Sequence, residues 1–186
     1  MFPATFRVVV DACALYPLNL RDTLLRAAER GYFQLYWSSE ILDEMHRNLV
    51  KNGVMTEDKA TRSRKVLAEV FPESMVVGYE ALVPAMPNHE KDRHVAAAAV
   101  KAGAQVIVTS NLRDFAALPD GIEAQAPDQF LIHLFDLDPD GMVELLVDQA
   151  RDRTRPPITS EKMLEAMAKV VPSFIEVIGQ HVATRG

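Results

Sequence analysis

FRVVVDACALYP, residues 6–17, runs apolar and β-branched straight into a bare carboxylate, Asp11. Residues 6–10 have the pattern of a strand buried on both faces, the condition of a central strand in a parallel sheet. Asp11 then stands at the carboxyl end of that strand. Two readings are open for it. It is a turn residue that ends the strand, or it is one member of a metal cage completed from distant parts of the chain.

Working outward, strands and helices alternate. Asn19 offers a cap for a helix through Ala28 that stops at Gly31, and residues 33–37 form a second strand candidate. Ser38 and Ser39 offer caps for the helix ILDEMHRNLVKN, which Gly53 stops. Thr56 opens the helix EDKATRSRKVLAEVF, ended by Pro72, and residues 75–77 form a short strand candidate. Asn88 precedes a helix around DRHVAAAAVKA, closed by Gly103, and QVIVT at 105–109 is the second strongly apolar strand. The alternation predicts an α/β fold, a three-layer sandwich with a mainly parallel central sheet. From about Pro127 the pattern is helical only, with Arg155-Pro156-Pro157 as a stiff connector between two helices. The expected organisation is an α/β unit over residues 1–130 and a helical C-terminal extension over 131–186, packed on it.

Composition sets the class. With 186 residues, 48% apolar and 25% charged, the chain has the profile of a globular protein able to bury a core. No stretch is apolar and long enough to span a bilayer, and the start MFPATFR lacks a basic head before an apolar core, so no membrane association and no secretory signal are expected. The single Cys13 excludes a disulfide framework and a thiolate zinc cluster, and fits a reducing cytoplasm. The net charge of −6 argues only weakly against a nucleic-acid partner, because clustered acids reverse their local sign once they bind cations.

In a parallel sheet, ligands bind beyond the carboxyl ends of the strands. Asp11 follows one such end, and Asn111 and Asp114 follow another, after QVIVT. Asp92 lies at the opening of the intervening helix, and Glu44 lies in the helix after the second strand. Crowded carboxylates raise one another's pKa unless divalent cations neutralise them. Mg²⁺ and Mn²⁺ take carboxylate and water oxygens. Such ions activate a water and stabilise the leaving oxygen of a phosphodiester. An acidic cluster without a cysteine or histidine set therefore points to metal-dependent phosphoryl-transfer hydrolysis.

VVVDACALYP, SSEILDEMHRNL and KDRHVAAAAVKAGAQVIVTSNLRDF, in that order and spacing, resemble the PIN-domain ribonucleases, in particular the VapC-type toxins of prokaryotic toxin–antitoxin pairs. The resemblance covers roughly residues 5–130. It implies a PIN-like fold and a Mg²⁺- or Mn²⁺-dependent endoribonuclease, with Asp11, Glu44 and Asp92 at three family acid positions. It further implies an RNA substrate, a cognate antitoxin protein and a homodimer. One position departs from the pattern. The family's last strand usually leads to Thr-Gly-Asp, whereas here Thr109-Ser110-Asn111 precedes Asp114. Asn111 can coordinate weakly through its carbonyl or hold a metal-bound water, and it brings no charge; Asp114 is the compensating carboxylate. The alternative is a catalytically weak PIN-like RNA-binding or scaffold module, and a DNA-directed nuclease is a third reading.

Other residues carry plainer alternatives. Glu40 and Asp43 rival Glu44 in the same helix; Glu40 complements the dipole and Asp43 can pair with Arg47. His89 and His94 flank Asp92 and read as surface or capping residues, because hard cations prefer oxygen. Thr109 and Ser110 can brace the site or simply bond backbone. Cys13 reads as packing, and its place two residues after Asp11 excludes the acid that a haloacid-dehalogenase-type phosphatase needs there. For RNA phosphates, Arg93 beside Asp92 and Arg47 in the basic stretch 47–65 are the candidate contacts.

Overall fold

In the computed structural model, which describes residues 6–152 and 159–185, the apolar run after Phe6 becomes the central strand β1 (Arg7–Val10). Five parallel strands lie in the order β3-β2-β1-β4-β5, with β2 at Gln34–Ser38, β3 at Met75–Val76, β4 at Val106–Val108 and β5 at Glu123–Gln125. Val9 pairs with Tyr36 on one side and with Ile107 on the other, and Val8, Val9 and Val10 are wholly buried. Helices cover both faces, so these valines contact apolar side chains above and below the sheet.

Three helices start directly where a strand ends, one each after β1, β2 and β5. Asp11 caps the four-residue α1 (Ala12–Leu15), accepting from the Ala12 N–H at 2.7 Å. This short helix is absent from the sequence reading. The next helix, α2 (Leu18–Glu29), begins two residues earlier than an Asn19 cap would set it, because Pro17, with φ at −71°, serves as the cap. Ser38 caps α3 (Ser39–Lys51) with its hydroxyl accepting from Ile41 N–H at 3.2 Å. Then follow α4 (Glu57–Val70) and α5 (Arg93–Ala102). Gly103, at φ 63°, closes α5 in the left-handed conformation that the chain needs to turn back into β4. Between β3 and α5 the chain makes two 3₁₀ turns, Glu80–Ala85 and Glu90–Asp92.

The helices α6 (Pro127–Leu137), α7 (Pro139–Asp152), α8 (Ser160–Ala168) and α9 (Pro172–Arg185) complete the chain. The connector Arg155-Pro156-Pro157 lies outside the described residues. These helices share the core of the sheet layer. Phe130 of α6 meets Phe33 edge-on at 5.1 Å between centroids, and Thr23 of α2 donates to Gln149 of α7 at 2.7 Å in a buried contact. Asp128 accepts from the N–H groups of Ser173 and Phe174 at 3.1 and 2.8 Å, capping α9 from the neighbouring helix. Among the described residues no helix is long and apolar enough to cross a membrane.

Candidate functional site

The carboxyl ends of β1 and β4 are joined by a hydrogen bond from Asp11 N–H to Val108 O at 3.0 Å. That pairing places Asp11 beside Thr109. Asp11 Oδ2 accepts from the Thr109 hydroxyl at 2.8 Å and from the Cys13 thiol at 3.1 Å. Thr109 is wholly buried and its oxygen also accepts from Asn111 N–H at 3.1 Å. Burial raises the Asp11 pKa, and the nearby Glu44 charge adds to the rise, while the donated hydrogen bonds oppose it. Burial and the Asp11 charge push the Cys13 thiol up to about 12, so it stays protonated and can donate. Cys13 therefore does more than pack: Ser110 N–H reaches its sulfur at 3.1 Å, which pins the loop after β4 against Asp11. A cysteine two residues after a strand-end acid is the sequence signal for this brace.

Asp92 sits where the 3₁₀ turn passes into α5. Its pKa rises to about 6, first through burial, then through the charges of Asp11, Asp114 and Glu44. One carboxylate thus feels the charge of all three of the other acids named from the sequence. Asp114 lies in the 3₁₀ turn Leu112–Phe115, and Asn111 Nδ2 donates to its Oδ2. At the acid position of the family pattern, then, stands an amide that orients the later acid.

Glu44 faces His94, whose Nε2 is 3.6 Å from Glu44 Oε2; this pairing lowers the Glu44 pKa. His94 is buried, which alone would lower its own pKa, but Glu44, Glu40 and Asp11 outweigh burial and raise it. His94 is therefore an interior residue whose protonated form Glu40 and Glu44 favour, where the sequence suggested a surface or capping residue. Glu40 does more than complement the helix dipole: it accepts from the Tyr79 hydroxyl at 3.2 Å and lies 3.8 Å from His94 Nδ1. Asp43 pairs with Arg64 of α4, not with Arg47.

His89 joins the acids. One donor atom each from His89, Asp92 and Asp114 lie within 4.8 Å of one another, the tightest such grouping among the described residues. Its spacing was the available signal: residues three apart eclipse on a 3₁₀ turn, which sets 89 over 92. Of the candidate RNA contacts, Arg47 is exposed on α3, and half-buried Arg93 donates from Nε to Asn88 O at 3.2 Å.

Comparisons with known proteins agree with this architecture. Residues 7–113 match the family model of the PIN domain, and residues 127–180 match that of the VapC50 C-terminal domain. A protein of Mycobacterium tuberculosis named "Putative ribonuclease VapC50" is 42% identical over 100 residues, which is 52% of this chain and 59% of that protein. The match thus takes in less than two thirds of the relative's length. No solved structure matches the chain.

Proposed function

The chain belongs to the PIN domain family, and from that membership we propose that it is a metal-dependent endoribonuclease, the toxin of a type II toxin–antitoxin pair. The observation that carries the reading is the placement of Asp92, half-buried and close enough to Asp11, Asp114 and Glu44 to feel the charge of all three, which with burial raises its pKa to about 6. Such crowding is unfavourable in the bare protein and is relieved by a hard dication. The donor set fits that ion: Asp11, Asp92 and Asp114 would hold Mg²⁺ or Mn²⁺ through oxygen, with Asn111 able to add a carbonyl or hold a bound water. When bound, the ion would make a water easier to deprotonate and would offset charge on the leaving oxygen.

The remaining work falls to this chain's side chains. Glu44, kept ionised by His94, accepts a proton from the attacking water while the water oxygen bonds to phosphorus. The bond from phosphorus to the leaving ribose oxygen breaks, and that oxygen takes a proton from solvent. Thr109 and Ser110 hold the loop that carries Asn111 and Asp114 against Asp11. Arg47 and Arg93 supply positive charge for the RNA backbone. Asn111, the residue that suggested a weakened module, orients Asp114, which favours the active reading.

The same reading extends to an antitoxin partner, a homodimer, a cytoplasmic setting and a nuclease unit over residues 1–130 with a helical extension over 131–186. The test is RNA cleavage by the full chain with Mg²⁺ or Mn²⁺, repeated with chelator and with Asp11→Ala. Cleavage should require the ion and vanish in the variant; cleavage that survives both changes overturns the reading.

A further inference from the structure

The His89 Nδ1 atom stands 3.8 Å from Asp92 Oδ2, within ion-pair reach and too far for a hydrogen bond. Yet the donor atoms of His89, Asp92 and Asp114 all lie within 4.8 Å of one another. Two backbone hydrogen bonds build this arrangement. His89 N–H donates to Asp114 O at 3.0 Å, tying the loop before α5 to the turn after β4. Asp92 N–H donates to His89 O at 3.0 Å, closing the 3₁₀ turn that stacks residue 89 on residue 92. Ligands on a six-coordinate dication with bonds of about 2.1 Å lie roughly 3 Å apart when adjacent and roughly 4.2 Å apart when opposite. The observed spacing is close to that range. Asp11 takes three donated hydrogen bonds on its oxygens, while the His89 side chain is 51% exposed.

We propose that His89 is a nitrogen ligand to the cation held by Asp92 and Asp114, and that the site therefore takes a transition dication such as Mn²⁺ in preference to Mg²⁺. The inference rests on the metal-dependent reading above and deepens it. Mg²⁺ is hard and gives up its water oxygens reluctantly, whereas imidazole nitrogen is a ligand of first-row transition ions. An imidazole on one side and carboxylates on the other discriminate between the two ions without any change of cavity size.

The test uses the full chain with Mn²⁺ as the probe, read by pulsed electron paramagnetic resonance and by equilibrium titration. Bound Mn²⁺ should show coupling to a directly attached ¹⁴N nucleus, and His89→Gln should abolish that coupling. The same variant should weaken Mn²⁺ about tenfold and leave Mg²⁺ affinity within about threefold. His89 is exposed enough that the variant keeps its fold, and unchanged Mg²⁺ binding verifies this. Mn²⁺ bound without nitrogen coupling, or coupling that persists in His89→Gln, overturns the inference while the metal site stands. Mn²⁺ binding that is unaffected by Asp92→Asn overturns the metal site itself.

Discussion

The Thr109 hydroxyl donates to Asp11 Oδ2 at 2.8 Å across 98 positions of sequence, and both residues are buried. The bond locks the ends of two neighbouring strands and favours the ionised form of a carboxylate whose pKa burial raises. Thr109→Val keeps the shape and removes the donor. It should cost about 1–3 kcal/mol in urea unfolding, the penalty of an unsatisfied buried acceptor. RNA cleavage should fall and its acid limb should move to higher pH, because Asp11 would ionise less readily. Thr109→Ser should recover most of both, and an unshifted pH profile in the valine variant would refute the assigned role.

Asp92 makes the metal-free protein sensitive to pH in an unusual direction. Its folded pKa, about 6, lies above the ordinary 3.8, so the fold binds a proton that the unfolded chain has already released. Between these two values its contribution to stability falls as pH rises. In chelator, Asp92→Asn should melt higher than the parent at pH 7, and the gap should close as pH drops below about 4. The same variant should be inactive, so stability gained and function lost would come from one carboxylate. Thermal melts from pH 4 to 7 decide this; a variant less stable than the parent at pH 7 would contradict it.

What was legible in the sequence follows from how strongly each feature is written in apolar pattern. The buried runs of β1 and β4 stand out because valine and isoleucine fill both faces. The strand β5, Glu123-Ala124-Gln125, is an edge strand with solvent beside it, so it carries no apolar run and was missed. The helix α1 is shorter than any periodicity can reveal. Asp11, Asp92 and Asp114 could be named because a parallel sheet delivers every strand end to one rim. Glu44 came only with the family resemblance, since Glu40 and Asp43 share its helix. His89 and the interior position of His94 depend on a 3₁₀ turn and on cross-helix contacts, which sequence periodicity does not encode.

His94 should act as the positioning residue for Glu44. Its imidazole lies 3.6 Å from Glu44 and 3.8 Å from Glu40, and is buried. Removing it leaves the Glu40 and Glu44 carboxylates without the imidazole that lies beside both. His94→Gln should lower the rate of cleavage with little effect on KM, and raise the apparent pKa of the acid limb as Glu44 loses its partner. Because the folded His94 pKa is raised, the stability it adds is complete below the unfolded value of about 6.5 and fades as pH rises through the folded one. The difference in melting temperature between parent and variant should therefore shrink from pH 6 to pH 9. A difference that stays constant would mean that His94 serves packing alone.

The helical extension should unfold together with the sheet. Phe130 is 2% exposed and packs edge-on against both Phe33 and Phe6, joining α6 to residues beside β1 and β2. Truncating it removes a ring from a core shared by the two parts of the chain. Phe130→Ala should cost about 3–5 kcal/mol. The loss should appear as a shift of one cooperative urea transition seen equally by Trp37 fluorescence, which reports the sheet, and by helical circular dichroism. Two separated transitions, with only the helical one shifted, would show that α6 to α9 fold independently of the sheet.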